Sequence, residues 1–470
     1  GLGDVYKRQS KYNQINFKFI GGFKMSHTEN ILGMLSDRAG TGKDSQIYTP
    51  IPIAKDMINI LPEEVWNKDT TFLDPACKSG VFLHEIYLKL METPSMIQDF
   101  PDKAERRKHI LQNQLYGISP NGMCQLMSTR TVYGTIQGEN NIISFESNYL
   151  AVMQNADKTF LYERLKKEFN TMKFDVVIGN PPYNKGMDLD FVDLGYKISN
   201  KYTVMITPAK WQTTADDYSG CASKNINYKQ FRELYVPHMS YVCFYPDVSD
   251  VFKIGQIDGV CYYILDKVEH DKCKVVNKSR LQPYFNSENV RNIRSRQSLI
   301  NVCNEIHMYI DKFQQYKIDS NKLDERYKYS VNKLFSLGGA SPWDRVLLTI
   351  DGKCKVVGAG YLLENQSDYT AGVSQNIFSS DDKSECEAFI SWINCKFTRF
   401  FLLCNISKLT VTFDNDYFRF VPAPPTGKFD HIYTDEELYK AFNLPQKYID
   451  VIEAVIKGRH QRKKIAYQSP

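Results

Sequence analysis

The strongest constraint on the fold is a short stretch in the first half of the chain. Phe174-Asp175-Val176-Val177-Ile178-Gly179 is a near-continuous apolar run, and Asn180-Pro181-Pro182-Tyr183 follows at once. A run of that length and β-branched content reads as a strand buried on both faces, as in parallel sheets. Two consecutive prolines offer no N–H to extend a ladder, so the strand must stop at Asn180. Other segments repeat the pattern. Residues 71–73 end at Asp74, residues 114–118 form a second run, and residues 202–206 end at Thr207-Pro208. Residues 241–245 and 260–265 read as a late antiparallel pair. Helical spacing lies between the strands: Phe82, Ile86 and Leu90 share one face, as do Ile53, Met57 and Ile60. Strands alternating with helices predict an α/β fold with a doubly wound, mostly parallel sheet of Rossmann-like form.

The pattern changes near residues 275–285. Beyond it the chain is richer in charge and Asn, and irregular. Residues 281–330 read as partly helical, 345–350 and 354–357 as short strands, and 385–403 and 434–456 as helices. The expected organisation is a first domain over 25–278 and an α+β domain over 279–470. Asp4-Val5-Tyr6-Lys7-Arg8-Gln9 reads like a translated sequencing adaptor. Residues 1–24 are therefore expected to be an artefact or a disordered arm, with Met25 the true start.

Composition removes several classes. Apolar residues make up 42% and charged residues 24%, which excludes collagen, a coiled-coil rod and a wholly disordered chain. No run of about 18 apolar residues exists, so a membrane-spanning helix is not expected. The 11 cysteines are an odd number without a Cys-x-x-Cys pair. They read as reduced, buried thiols of a cytoplasmic protein, and no metal site is expected. A net charge of +5 is mild and by itself says nothing of a polyanionic partner.

The tetrapeptide carries the chemistry. An exocyclic aromatic or amide nitrogen is a poor nucleophile because its lone pair is delocalised. Two acceptors on its N–H groups draw it toward tetrahedral geometry and free that pair. The Asn180 side-chain oxygen and the Pro181 carbonyl are such acceptors, and Pro182 stiffens the loop that aims them. Tyr183 offers a flat face to stack on a base, worth about 1–3 kcal/mol. A second signal is Asp74-Pro75-Ala76-Cys77-Lys78-Ser79-Gly80, a small-residue turn between strand and helix that lets a ligand approach backbone N–H groups.

These two motifs, in this order, resemble motifs I and IV of adenine-specific amino-methyltransferases that use S-adenosyl-L-methionine. Tyr48-Thr49-Pro50 upstream resembles motif X. The order X, I, IV, then a C-terminal recognition region, resembles the γ class of DNA methyltransferases in bacterial and phage restriction–modification systems. Asp250-Val251-Phe252 through Gly259-Val260-Cys261-Tyr262-Tyr263 is similar to the last sheet strands of that class. Thr434-Asp435-Glu436-Glu437-Leu438-Tyr439 is similar to a C-terminal stretch of it. The resemblance covers 46–265 well and the remainder loosely.

The resemblance implies roles. Asp74, Pro75, Ala76, Cys77, Ser79 and Gly80 wrap the methionine and ribose part of S-adenosyl-L-methionine. Thr49 and Pro50 close over its methionine end, and Ile118 and Ser119 lie at the end of the next strand. Asn180, Pro181, Pro182 and Tyr183 act on a flipped adenine, with Tyr262 against its other side. Asn180 as the first residue favours adenine over cytosine. The implied partners are double-stranded DNA and a cognate restriction endonuclease, with no membrane and the oligomeric state left open. RNA adenine, protein glutamine and a non-catalytic specificity subunit stay open as alternatives.

Two departures stand out. Lys78 occupies a position where the family has glycine, and a positive φ there would strain it by on the order of 1 kcal/mol. The strand ending at Ile118-Ser119-Pro120 lacks the usual ribose-binding acid, leaving Ser119 to donate instead. Look-alike motifs fail on spacing. Arg38-Ala39-Gly40-Thr41-Gly42-Lys43 is no phosphate-binding loop, because Asp37 and Asp44 stand where Gly and Ser or Thr are required. Pro101-Asp102 and Pro246-Asp247 lack the partners of a nuclease. His84 reads as structural. The basic tail 459–464 is a candidate DNA contact, while Lys396, Arg399 and Lys408 flank Trp392 and Phe400 in a region where no base-reading side chain is singled out.

Overall fold

The structure, a computed structural model, describes residues 27–36, 47–145, 149–183, 186–212, 223, 225–245, 251–252, 259–278, 288–292, 312–316, 327–333, 347–348, 354–355, 361–363, 375–405 and 421–456. The adaptor-like stretch, Lys43, Asp247, Lys408 and the basic tail lie outside the described residues.

Nine strands form the main sheet. They are β1 (Phe72–Asp74), β2 (Leu115–Ser119), β3 (Ile142–Ser144), β4 (Phe174–Gly179), β5 (Ser199–Pro208), β6 (Met239–Tyr245), β7 (Val260–Leu265), β8 (Lys272–Asn277) and β9 (Glu288–Asn292). Their order across the sheet is β3-β2-β1-β4-β5-β7-β6-β8-β9. The first five pair in parallel. β7 runs antiparallel between β5 and β6, which makes the late pair antiparallel as expected. The α/β, mostly parallel sheet is therefore present.

Side-chain alternation explains why both faces are covered. Val176 and Ile178 of β4 enter one apolar cluster, while Val177 enters the other. Helices α1 (Ile51–Asn59), α2 (Val81–Glu92) and α3 (Gly122–Tyr133) pack on the first face, placing Met57, Ile86 and Val132 there. Helices α4 (Thr159–Phe169) and α5 (Met187–Ile198) pack on the second, through Leu161, Leu165 and Phe191. A sheet apolar on both faces can only be stable between two helical layers.

The chain winds from β1 outward to β3, then returns to start the other half at β4. β1 and β4 are thus neighbours in register, Phe72 with Val176 and Leu73 with Val177. Their carboxyl ends flank the point where strand order reverses, which is where open α/β sheets bind ligands.

Three strands of the main sheet escaped the sequence. β3 has three residues in an Asn-rich setting, too short for a periodic signal. β8 and β9 pair antiparallel and carry the sheet to Asn292, beyond the boundary expected at 278. The described residues of 281–330 hold strands and an isolated bridge rather than helix.

Further on, β10 (Tyr329–Lys333), β13 (Tyr361–Leu363) and β14 (Gln375–Ser380) form a three-stranded sheet, and β11 (Leu347–Leu348) pairs with β12 (Cys354–Lys355). The helix expected over 385–403 is two helices, α6 (Lys383–Asn394) and α7 (Lys396–Asn405), broken where Cys395 takes ψ 142°. The helix expected over 434–456 is also two, α8 (Asp435–Ala441) and α9 (Gln446–Val455). Asn443 at φ 45° and Pro445 separate them, a common helix stop. Phe378, Phe389, Trp392 and Phe429 pack as one aromatic core here. Trp392 and Phe400 are fully buried and Arg399 nearly so, while Lys396 pairs with Glu453. Trp392, Arg399 and Phe400 are thus part of the core of this region.

Cys77, Cys124, Cys243, Cys261, Cys273, Cys386 and Cys395 are buried and form no disulfide, as expected of reduced thiols. No described helix is long and apolar enough to cross a membrane.

Gly80 fixes how α2 starts. Its φ is +78°, and a Cβ there would lie 3.1 Å from the Ser128 Cα and carbonyl oxygen on α3. Gly80→Ala should therefore destabilise the protein by about 1–3 kcal/mol, read from urea unfolding of the whole chain. An unchanged midpoint would show that α2 and α3 separate at no cost.

Candidate active site

The turn after β1 is held on several sides. The Asp74 Oδ1 accepts from the Ala76 N–H at 2.9 Å, closing the turn locally. The Cys77 N–H donates to the Ile118 carbonyl at 2.9 Å, and the Ser119 hydroxyl donates to the Cys77 carbonyl at 2.8 Å. The Tyr149 hydroxyl donates to the Pro75 carbonyl from the opposite side. Gly179, at the end of β4, lets the two strand ends approach, since a Cβ there would lie 3.1 Å from Asp74 Oδ1.

These bonds correct one expectation. The Ser119 side chain is fully buried and its hydroxyl is spent on the turn, so it is a tie within the protein rather than a ribose donor. Ile118 and Cys77 are likewise fully buried. The anticipated strain at Lys78 is absent too. Among described residues only Asn170 and Asn443 combine a side chain with positive φ. The turn takes its left-handed step at Gly80 instead.

A cleft of about 220 Å³ opens over this turn. Tyr48 and Thr49, Asp74 and Ala76, the run from Lys78 to Phe82, and Asn180 line it. Thr49, Asp74, Ala76, Ser79, Gly80 and Asn180 were expected there from sequence and are brought together. Pro50, Pro75, Cys77, Ile118 and Ser119, also expected there, are not among the lining residues. Pro50 precedes α1 and its carbonyl accepts from the Ala54 N–H. Tyr48, quoted from sequence only as part of its motif, and Val81 and Phe82 also line the cleft, with no site role expected of them. Phe82 and Val81 carried only the apolar signal of a helix core face.

The segments 49 and 180 meet across 131 positions of sequence. The Asn180 Nδ2 donates to the Thr49 hydroxyl at 3.1 Å, and both residues are about 95% buried. That bond turns the amide so that its oxygen is left as acceptor. Pro181 is buried beside it, and Tyr183 is half-buried, its hydroxyl donating to the Ile206 carbonyl at 3.3 Å. Tyr183 packs on the edge of the first apolar cluster.

Tyr262 does not share this position. It is 2% exposed within β7 and stacks on Tyr241 at 6.2 Å and 18°. Strand alternation turns it into the first apolar cluster, so in this structure it is a core residue and not a face open to a base. Asp102, the nuclease-like residue, caps the helix Lys103–His109 by accepting from Ala104 and Glu105. His84 is buried beside Glu85, as a structural histidine. No group of residues suited to a metal occurs among the described residues.

Burial sets the electrostatics. It pushes the Asp74 carboxyl up to about 7, against the pull of the Ala76 N–H and of Lys78. It also lowers the Lys78 ammonium to about 8, with Asp74 opposing. Asp188, at the start of α5, is raised to about 7 by the same cause.

Residues 27–212 match the family model of N-6 DNA methylases. A Mycoplasma pneumoniae protein described as an uncharacterized adenine-specific methylase is 26% identical over 307 residues, covering 50% of this chain and 70% of that protein. Two solved structures are similar in part. One is the type I restriction-modification methyltransferase subunit of Streptococcus thermophilus, with 16% identity, 58% of this chain, 54% of that chain and a TM-score of 0.37. The other is a nuclease-deletion mutant of the Type ISP restriction-modification enzyme LlaGI with a DNA substrate mimic, with 10% identity, 70%, 39% and 0.42. The chain spans about half the length of the first and less of the second.

The raised Asp74 has a consequence for stability. Its folded pKa lies above the unfolded value near 3.9, so folding holds its proton more tightly. Stability should fall as pH rises from about 4 to about 7 and be flat above. Asp74→Asn removes this term. It should be more stable than the parent at pH 8 by on the order of 1–4 kcal/mol, with the gap closing below pH 4 in denaturation midpoints. A gap that does not change with pH would refute the assignment. Residues 27–212, which bring Thr49, Asp74 and Asn180 around one cleft, are thus the part of this chain that is similar to the N-6 DNA methylases.

Proposed function

We propose that the protein transfers the methyl group of S-adenosyl-L-methionine to the N6 of a flipped adenine at a specific site in double-stranded DNA, in a restriction–modification setting. The observation that carries this is the Thr49–Asn180 hydrogen bond at the rim of the cleft over the 74–80 turn. It commits the amide nitrogen and leaves the oxygen to accept from an exocyclic amino group.

The donor set fits S-adenosyl-L-methionine. Such a ligand carries an amino acid at one end and a nucleoside at the other. The cleft offers a carboxylate at Asp74, an ammonium at Lys78 and the hydroxyls of Thr49 and Ser79. When bound, the ligand supplies an electrophilic methyl on a sulfonium that leaves as a neutral thioether, so no metal is called for.

The chain's own residues do the rest. The Asn180 oxygen and the Pro181 carbonyl accept from the adenine amino group and localise its lone pair. Pro181 and Pro182 hold the loop rigid, so little reorganisation is needed at reaction. Tyr183, anchored through its hydroxyl to Ile206, presents its ring to the extruded base and offsets part of the flipping cost of a few kcal/mol. The residues from 279 onward provide the target-recognition surface. A cognate restriction endonuclease is the expected companion, and the bacterial cytoplasm the expected setting.

The test is transfer of labelled methyl to mixed-sequence duplex DNA. Label should appear in adenine and fall at least about 100-fold in Asn180→Ala. Tyr183→Ala should weaken the response to DNA by about 5- to 150-fold, whereas Tyr183→Phe, which keeps the ring, should lose far less. Label found only in RNA or protein would overturn the DNA assignment.

A further inference from the structure

We propose that Lys78 holds the carboxylate of the amino-acid end of S-adenosyl-L-methionine, opposite Asp74, which takes its ammonium. The inference rests on the function proposed above and adds a specific residue to it.

The cleft has two charged lining residues, and they are of opposite sign. Both project from one turn, four positions apart. Asp74 accepts from the Ala76 N–H through Oδ1 and has the Cys77 thiol as a second hydrogen-bond partner; a carboxylate has about four lone-pair sites, so it can still accept from a ligand ammonium. Lys78 donates one hydrogen bond, at 3.3 Å, to the Ile47 carbonyl at the cleft's other wall. An ammonium has three donors, so one such bond leaves capacity for a carboxylate. An amino acid is the complementary object, with one cation and one anion a few bonds apart.

The energetics favour the same assignment. Burial disfavours the charged form of each residue, and it outweighs the Ala76 and Cys77 hydrogen bonds to Asp74 and the mutual attraction of Asp74 and Lys78. A zwitterion brings a counter-charge to each and removes the penalty that each bears alone. Nothing in the backbone forces lysine at this position, because the left-handed step falls at Gly80. The lysine therefore calls for a role in its side chain. The competing role is a latch: the bond to Ile47 ties the segment before Thr49 to the turn.

Calorimetry with two ligands separates these roles. S-adenosylhomocysteine keeps the amino-acid end, and 5′-methylthioadenosine lacks it. The full chain and its Lys78→Met and Lys78→Arg variants are titrated with both, after thermal unfolding shows the variants folded. Lys78→Met should weaken S-adenosylhomocysteine by about 10- to 100-fold and leave methylthioadenosine within about twofold. Lys78→Arg should recover part of the loss, since it keeps the charge. Equal weakening of both ligands would establish the latch and overturn the proposal, as would no weakening of either. A parent protein that binds neither ligand would overturn the cofactor reading, and this inference with it.

Discussion

The side-by-side, parallel pairing of β1 with β4 is the constraint on which the site depends. It sets two loops, one after Asp74 and one after Gly179, at the same edge of the sheet. A parallel pair requires a long connection, here the whole stretch that carries β2, β3 and α4. The approach is close enough that a methyl group at Gly179 would press on the Asp74 carboxylate. One backbone arrangement thus brings a carboxylate turn and an amide-bearing loop together. Neither would act alone.

The turn after β1 shows how rigidity is obtained without a large cost in burial. Its carbonyls and N–H groups are satisfied by the Asp74 carboxylate, Ile118, Ser119 and Tyr149, which belong to the end of β1, to β2 and to a helix beyond. Buried backbone polar groups need such partners. Once they are supplied from all sides, the cleft above is preformed. The same logic holds at Asn180, where Thr49 fixes the amide before any substrate arrives. Preorganised acceptors need not reorient during reaction, and this is the main economy of such sites.

The charges of the cleft follow from the same burial. Asp74 is displaced toward neutral pH because water is excluded, and Lys78 is displaced toward it from the other side. Groups poised in this way respond strongly to a ligand that carries the opposite charges. The second part of the chain has a different character. Its described portion is organised by stacked aromatics, Phe378 on Phe389 at 4.5 Å with Trp392 and Phe429 around them. The aromatic side chains of this part are spent on a core.

Much of the catalytic half was legible before any coordinates. The apolar run 174–179 with its double proline announced a buried strand and its end. The spacing of Phe82, Ile86 and Leu90 announced α2, and the motif order located Thr49, Asp74 and Asn180. These features are local, and local periodicity and turn chemistry report on them directly. Tertiary structure decided the rest. It turned Ser119 inward to the Cys77 carbonyl and put Tyr262 into the core through strand alternation. It gave the left-handed turn to Gly80 rather than Lys78, and extended the sheet through β8 and β9. Each of those outcomes depends on which distant residue becomes a neighbour. A sequence lists the polar groups that need partners; only the folded chain determines which partners they find.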